Sequence, residues 1–499
     1  MRNRARRTVR WTDEGSCRGA GGWWPLLSMQ IVAAALVLAG CAGHAERTLD
    51  ARTALDEGRP SDALALLNEA LGVESGEELP TKTGGDNALL ILDRSMVLLQ
   101  LEQYALSSRD LQLADKQIEL LDFSRSTGDE IGRYLYSDDT GPYKAPPYEK
   151  LMINTMNMVS YLVRGDLQGA RVEARRLAVL QRYLASHESP DVALTGAGSY
   201  LAGFAFEKSD RPQEALRYYD EALQYGSYAS LGPTVRRLAS RTSYRTPRVR
   251  SLLGPEPVTP AAEPPSSQPP ATDPVGTEPT EPTAAVTEPV VEEPRPAEHA
   301  ELLVVVSYGR VPAKYAERVP IGLALTWSAS HMSPAQSSQA NHLAAQGLVT
   351  WVNYPELGPP RGRFAIPTVA VGGYPLAVEG VLAVDLESRK AWQQARGAIV
   401  AAAVTRTITR LVAGEAIRQA SGDSALGLLL SLGTQATLTA ADTPDTRCWS
   451  TLPARIAFSR VQLPPGTHWV DVTVRGVHKR QPITLTPGGW AVVNLTVLS

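Results

Sequence analysis

Gly198-Ser199-Tyr200-Leu201-Ala202-Gly203-Phe204-Ala205-Phe206-Glu207-Lys208-Ser209-Asp210-Arg211-Pro212-Gln213-Glu214-Ala215-Leu216-Arg217-Tyr218-Tyr219-Asp220-Glu221-Ala222-Leu223 is the stretch on which the fold turns. It reads as two helices joined at Asp210-Arg211-Pro212. Gly203 and Phe206 fall on the first helix, where a small residue lets a neighbouring helix approach. Ala215, Tyr219 and Ala222 fall on the second, at the i, i+4, i+7 spacing of one buried face.

This unit resembles a tetratricopeptide repeat, and related copies occur upstream. Between Leu49 and Leu71, Ala63, Leu67 and Ala70 take the second-helix positions after a Gly58-Arg59-Pro60 turn. A third copy has Tyr161, the turn Gly165-Asp166, then Ala170 and Ala174. Residues 87 to 122 read as further amphipathic helices that fit the repeat poorly. The expectation is a short, irregular helical array in which each pair buries its face against its neighbours. The resemblance implies binding of a peptide or a folded partner. Plain helical packing without a groove is the alternative. The stretch from Tyr134 to Lys150, rich in tyrosine and turn residues, is either a contact surface or a cap on the array.

Beyond the array lies a Pro/Glu/Thr-rich linker at 251–299. Its segment 255–298 holds thirteen prolines, nine acidic residues and one basic residue, Arg295. With no aromatic and few large apolar residues, it cannot offset its ordering entropy by burial and is expected to be disordered. At about 3.1 Å per residue in the polyproline conformation, it reaches on the order of 100 Å. It is a spacer, a docking strand or a flexible joint, and the C-terminal part is expected to move freely on it. Just before it, Arg236, Arg237, Arg241, Arg245, Arg248 and Arg250 form a basic patch, read either as a contact for anionic polymers or headgroups or as a solvated helix face.

Residues 300–499 read as mixed. Glu301–Val306 is a buried strand, and Arg318–Leu325, Leu348–Asn353 and Pro375–Asp385 are expected strands. Ser388–Gln419 is helical, with Ala398–Val404 apolar all round and Arg406 and Arg410 making it a poor membrane span. Ala425–Ala440 is a second apolar stretch. Four strands follow, at Arg455–Leu463, Trp469–Arg475, Gln481–Thr486 and Ala491–Leu498, with turns at Leu463-Pro464-Pro465-Gly466 and Pro487-Gly488-Gly489. The fold class is therefore multidomain α+β. The boundaries are 1–40 for a signal, 41–250 for the helical part, 251–299 for the linker and 300–499 for the mixed part.

At the other end, Arg2, Arg4, Arg6, Arg7 and Arg10 precede the apolar run Met29–Leu38, which is too short for a stable span. It ends at Leu38-Ala39-Gly40-Cys41, which resembles the lipobox of bacterial lipoproteins. That resemblance implies cleavage between Gly40 and Cys41 and a lipid anchor, palmitate included, on Cys41. Several acyl chains would hold firmly, since each buried methylene contributes about 0.8 kcal/mol. Ala42 in place of aspartate implies sorting to the outer membrane, facing the periplasm. The lipobox joins three further stretches: Gly165-Asp166 with Gly169–Arg176, Ala441-Asp442 with Asp445–Ala454, and Leu463–His468. Together they resemble an uncharacterised family of Gram-negative outer-membrane lipoproteins, in which a repeat-containing helical half precedes a β-containing half.

The chain has 499 residues and a formal net charge of −3, a balance that gives no sign of a nucleic-acid partner. Of its three cysteines only Cys448 would remain as a free thiol after export and lipidation. No two of its seven histidines stand at i, i+4, and no C-x-x-C pair, nucleophile elbow or phosphate loop occurs, so no metal, cofactor or catalytic residue is assigned. Cys448 with His468 as base is the one nucleophile pair considered, against a buried structural thiol. Asp445-Thr446-Arg447 reads as a ligand clamp or as a local ion pair beside a core Trp449. Three functions follow as expectations: a non-enzymatic scaffold holding an envelope protein partner on the helical array, an assembly subunit oligomerising through the C-terminal part, or an envelope hydrolase.

Overall fold

The computed structural model describes residues 44–120, 143–187, 190–253, 299–347, 349, 351–359, 361, 364–420 and 444–499. The export signal with Gly40 and Cys41, residues 254–298 of the expected linker, Tyr134–Asp139 and Ala425–Ala440 lie outside the described residues, while 251–253, assigned to the linker, complete a helix.

The helical half begins with α1 (His44–Arg47), α2 (Leu49–Asp56), α3 (Pro60–Leu71), α4 (Asp86–Gln100) and α5 (Tyr104–Gln117). Two short strands, β1 (Glu119–Leu120) and β2 (Lys144–Ala145), pair in parallel. Then come α6 (Pro147–Val163), α7 (Leu167–Ser186), α8 (Thr195–Lys208), α9 (Pro212–Tyr225), α10 (Leu231–Ala239) and α11 (Pro247–Leu253). Proline opens α3, α6 and α9, where a missing N–H costs nothing. Gly58 and Gly165 turn the chain between helices with φ of +74° at both, a conformation that favours glycine.

Two hairpins are locked by opposite placements of the same pair. In α8–α9, a Cβ on Gly203 would stand 2.4 Å from the Tyr219 ring. In α6–α7, a Cβ on Gly169 would stand 2.3 Å from the Tyr161 ring. In one, the glycine is on the first helix and the tyrosine on the second; in the other, the order is reversed. Phe206, Ala215, Tyr219 and Ala222 are buried at the α8–α9 seam, as are Ala63 and Leu67 on α3 and Ala170 and Ala174 on α7.

α4 departs from the amphipathic reading of 87–122: every residue from Ala88 to Leu99 is buried. It is surrounded rather than one-sided, and the charge it carries inward is met there. Arg94 gives two bonds to Asp110, at 2.6 and 3.1 Å, and further bonds to Asn68 and the Glu78 carbonyl.

The C-terminal half runs β3 (Ala300–Tyr308), β4 (Lys314–Pro320), α12 (Ile321–Ser328), a 3-10 turn, α13 (Pro334–Ala345), β5 (Trp351–Leu357), β6 (Thr368–Val371), β7 (Tyr374–Leu376), β8 (Glu379–Ala383), α14 (Val384–Ala420), β9 (Arg455–Leu463), β10 (Gly466–Val474), β11 (Val477–Leu485) and β12 (Trp490–Val497). One four-stranded sheet has the order β12-β3-β9-β8, parallel only between β12 and β3. The other, β11-β10-β6-β7, is antiparallel throughout. The four C-terminal strands thus do not form a sheet of their own. β9 and β12 flank β3, while β10 and β11 join β6 and β7.

The region read as a strand over Arg318–Leu325 divides at Pro320. Lys314–Pro320 is strand β4, paired with β5, and Ile321 starts a helix. A short apolar run does not distinguish strand from buried helix by periodicity. The helix buries Ile321, Ala324 and Ser328, spaced i, i+3, i+7, in a satellite core with Val352, Tyr354, Val400 and Val404.

β3 explains its own sequence. All nine of its residues are buried because both faces are covered. Leu302, Val304, Val306 and Tyr308 meet Val470, Val472 and Val371 of the second sheet. Leu303 and Val305, with Ile456, Phe458 and Leu498, join the core of the helices. The expectation of a C-terminal part moving freely on its linker is therefore corrected: the two halves share one hydrophobic core.

Candidate functional site

Several buried polar groups meet at that shared junction, brought together from positions distant in sequence. Arg460 stands on β9 on the face turned to the helices. Its Nε donates to Glu301 of β3 at 2.6 Å, its Nη2 to Glu207 of α8 at 2.7 Å and its Nη1 to the Tyr219 hydroxyl at 2.9 Å. Tyr219 donates in turn to Glu207 at 2.6 Å. Lys208 pairs with Glu301, and Arg237 reaches Glu207 at 2.6 Å. Burial alone would push the Glu207 carboxyl up, but Arg460, Lys208 and the bonds from Tyr219 and Arg237 hold it well below the usual carboxylate range. Burial likewise opposes ionisation of Glu301, and Arg460 and Lys208 still hold its carboxyl low.

Asp93, on the buried helix α4, receives the loop before β9. It accepts from the Thr451 N–H and hydroxyl, both at 2.9 Å, and from Ser450 at 3.1 Å. His44 Nε2 stands 2.9 Å from Asp93 Oδ2, both side chains almost fully buried, in a contact not aligned as a hydrogen bond. Glu149, on α6, accepts from Tyr143 at 2.5 Å and from the Trp449 N–H at 3.1 Å. Burial raises its carboxyl above the usual value despite those bonds. Glu379 of β8 accepts from the Ser230 N–H at 2.9 Å, beside a stack of Tyr200 on Phe458 and Tyr228, each with centroids 4.7 Å apart.

Asp445 and Arg447 form the bidentate pair, at 2.9 and 2.8 Å, and Arg447 Nη1 also binds Asp86 of α4 at 2.9 Å. The clamp thus closes on the protein itself. Arg310 binds Asp56 of α2 at 2.6 Å, and burial lowers its guanidinium to about 10.

The Cys448 thiol is buried, and burial pushes it up to about 11, the setting of an unreactive sulfur. His468 is on β10, its side chain bonded to the Pro464 carbonyl at 2.8 Å. Among the described residues, no group of His, Cys, Asp and Glu is placed to hold a metal ion. No helix among them is long and apolar enough to cross a membrane. The junction is a tie between elements, with its carboxylates already supplied with donors.

The basic patch is largely paired within the chain. Arg237 binds Glu207, Arg241 binds Asp210 and Arg248 binds Asp220. Arg236 and Arg245 donate to backbone carbonyls. Sequence reasoning did not single out Asp93, Glu149, Glu207 or Arg460. Each looks like the polar side of an amphipathic element, and an Asp at the centre of the apolar run Ala88–Leu99 was the one local signal.

No protein-family model matches the chain, and no curated protein matches it.

Proposed function

We propose that the chain is a lipoprotein held at the outer membrane of a Gram-negative cell by lipid on Cys41, and that it serves in the periplasm as a scaffold for envelope protein partners. The Leu38-Ala39-Gly40-Cys41 motif behind an apolar run supports the anchor. One structural observation carries the scaffold reading. His44, three residues after Cys41, is already buried and in contact with Asp93, which also receives the loop before β9. From His44 on, helices and sheets are tied together in one body, which supports a role as a platform for a bound partner. The helical hairpins supply the partner-binding surface.

The assembly-subunit reading has one observation in its favour: Leu323, Trp351 and Leu386 of the C-terminal half are exposed. The hydrolase reading has none, as its Cys448 nucleophile is buried with a raised pKa.

In-cell crosslinking of the tagged protein, with identification of what is captured, tests the scaffold. Reproducible envelope partners are expected, and their absence refutes it. Cys41→Ala is expected to abolish lipid labelling, and labelling that persists removes the anchor.

A further inference from the structure

The outer face of α7 carries three arginines that form no ion pair among the described residues. Arg171, Arg175 and Arg182 follow one another at i, i+4 and i+11, within about 40° of helix circumference at 3.6 residues per turn. Arg175 and Arg182 are exposed and Arg171 is partly so. Among the described residues, none of the three has a carboxylate at ion-pair distance, and the acids around them are bonded mainly to other partners. Glu173 is bonded to Asn154 at 2.9 Å and also meets Arg176. Glu214 pairs with Arg211, and Glu221, which faces Arg182, pairs with Arg217 at 3.5 Å. Asp220 is held by Arg248.

What the three arginines do contact is instructive. Arg175 lies over the Phe206 ring at 5.8 Å from its centroid, and Arg182 donates to the Ala178 carbonyl of its own helix at 3.3 Å. Arg171 Nε is buried with no hydrogen-bond partner, a donor that ordinarily finds an acceptor. This contrasts with the run Arg237, Arg241 and Arg248, each of which has an acidic partner. Beside the stripe, Val172 and Val179 are 41% and 59% exposed.

We infer that this stripe is the docking surface for an acidic, extended polypeptide segment of a partner protein. The inference rests on the scaffold reading and names the chemistry of the partner. From Arg171 to Arg182 the helix rises about 16 Å, the length of about five extended residues. Arg171 and Arg175 are separated by about 6 Å along the axis, close to the spacing of alternate side chains in a strand. Acidic side chains two residues apart then meet Arg171 and Arg175, an acid near the far end of the segment is reached by the flexible Arg182 stem, and apolar neighbours meet Val172 and Val179. Arginine offers two parallel donors to each carboxylate. A bilayer surface fits less well. Three cations in single file make a smaller footprint than a membrane-binding face presents.

The test uses the full chain in neutral detergent and a fluorescent peptide of alternating glutamate and leucine, with a lysine–leucine peptide as control. Arg171→Glu/Arg175→Glu/Arg182→Glu is expected to weaken the acidic peptide at least ten-fold, with the far-ultraviolet circular dichroism unchanged. Should that variant unfold, Arg175→Gln/Arg182→Gln is read instead, with at least a three-fold loss expected. Wild-type affinity in the folded variant, or equal binding of the acidic and basic peptides, overturns the inference. So does a result in which phosphatidylglycerol added to the micelles, and not the peptide, depends on the three arginines. Crosslinked partners that persist unchanged in the triple variant would refute this surface while leaving the scaffold standing.

Discussion

Replacing Arg460 by methionine tests whether the junction is held by its charges. The side chain is almost fully buried and donates to Glu301, Glu207 and Tyr219. Methionine fills much of the same space but offers no donor. Lys208 and Arg237 remain near Glu207, and Lys208 near Glu301, so the two carboxylates are weakened rather than stranded. Breaking a buried pair by removing one partner typically costs about 3–5 kcal/mol. With those residual cations the lower end, about 3 kcal/mol, is expected here. The assay is urea unfolding followed both by tryptophan fluorescence, to which Trp449 and Trp490 at the junction contribute, and by far-ultraviolet circular dichroism. Because the halves share one core, both signals should shift to lower urea together. A midpoint unchanged by the substitution would refute the assignment of this network as the tie. Loss of the fluorescence transition alone would refute the shared core.

Three further outcomes follow from named contacts. Gly203→Ala drives a methyl into the Tyr219 ring and is expected to destabilise by about 1–3 kcal/mol, measured by the same urea titration, whereas alanine at the solvent-facing Gln213 should be neutral. Cys448, buried with its thiol raised to about 11, should resist maleimide in the native protein and react once urea unfolds it; rapid native labelling would show that the junction opens. The carboxyls of Glu207 and Glu301 are held low in the folded state, so their contribution is present above the ordinary carboxylate value of 4.5 and is lost as pH falls below it. Glu207→Gln should therefore flatten the loss of stability on acidification below about pH 4.5, and an unchanged acid limb would contradict that contribution.

The helical hairpins were legible because their periodicity is local: Gly203, Ala215, Tyr219 and Ala222 mark a buried seam within twenty residues. The α+β class was legible for the same reason, with β3 as a continuous apolar run and α14 as a long helix. The boundary at Pro320 was not, because Ile321–Ser328 is too short and too apolar for one period to prevail. Arg171 and Arg175 stand in plain view within Gly169–Arg176, yet their lack of an ion-paired acid depends on where side chains such as Glu173 and Glu221 point.

The sequence by itself determined the helical hairpins, with their buried faces, and the apolar strand β3, since those follow from side-chain spacing along a few turns. Only the tertiary structure decided that the two halves share a core across the linker. Glu207 and Arg460 lie 253 positions apart, and each resembles a solvated charge in its own element. Their pairing depends on the sheet presenting one face to the helices and the other to a second sheet. That arrangement is set by long-range burial, to which local periodicity carries no key.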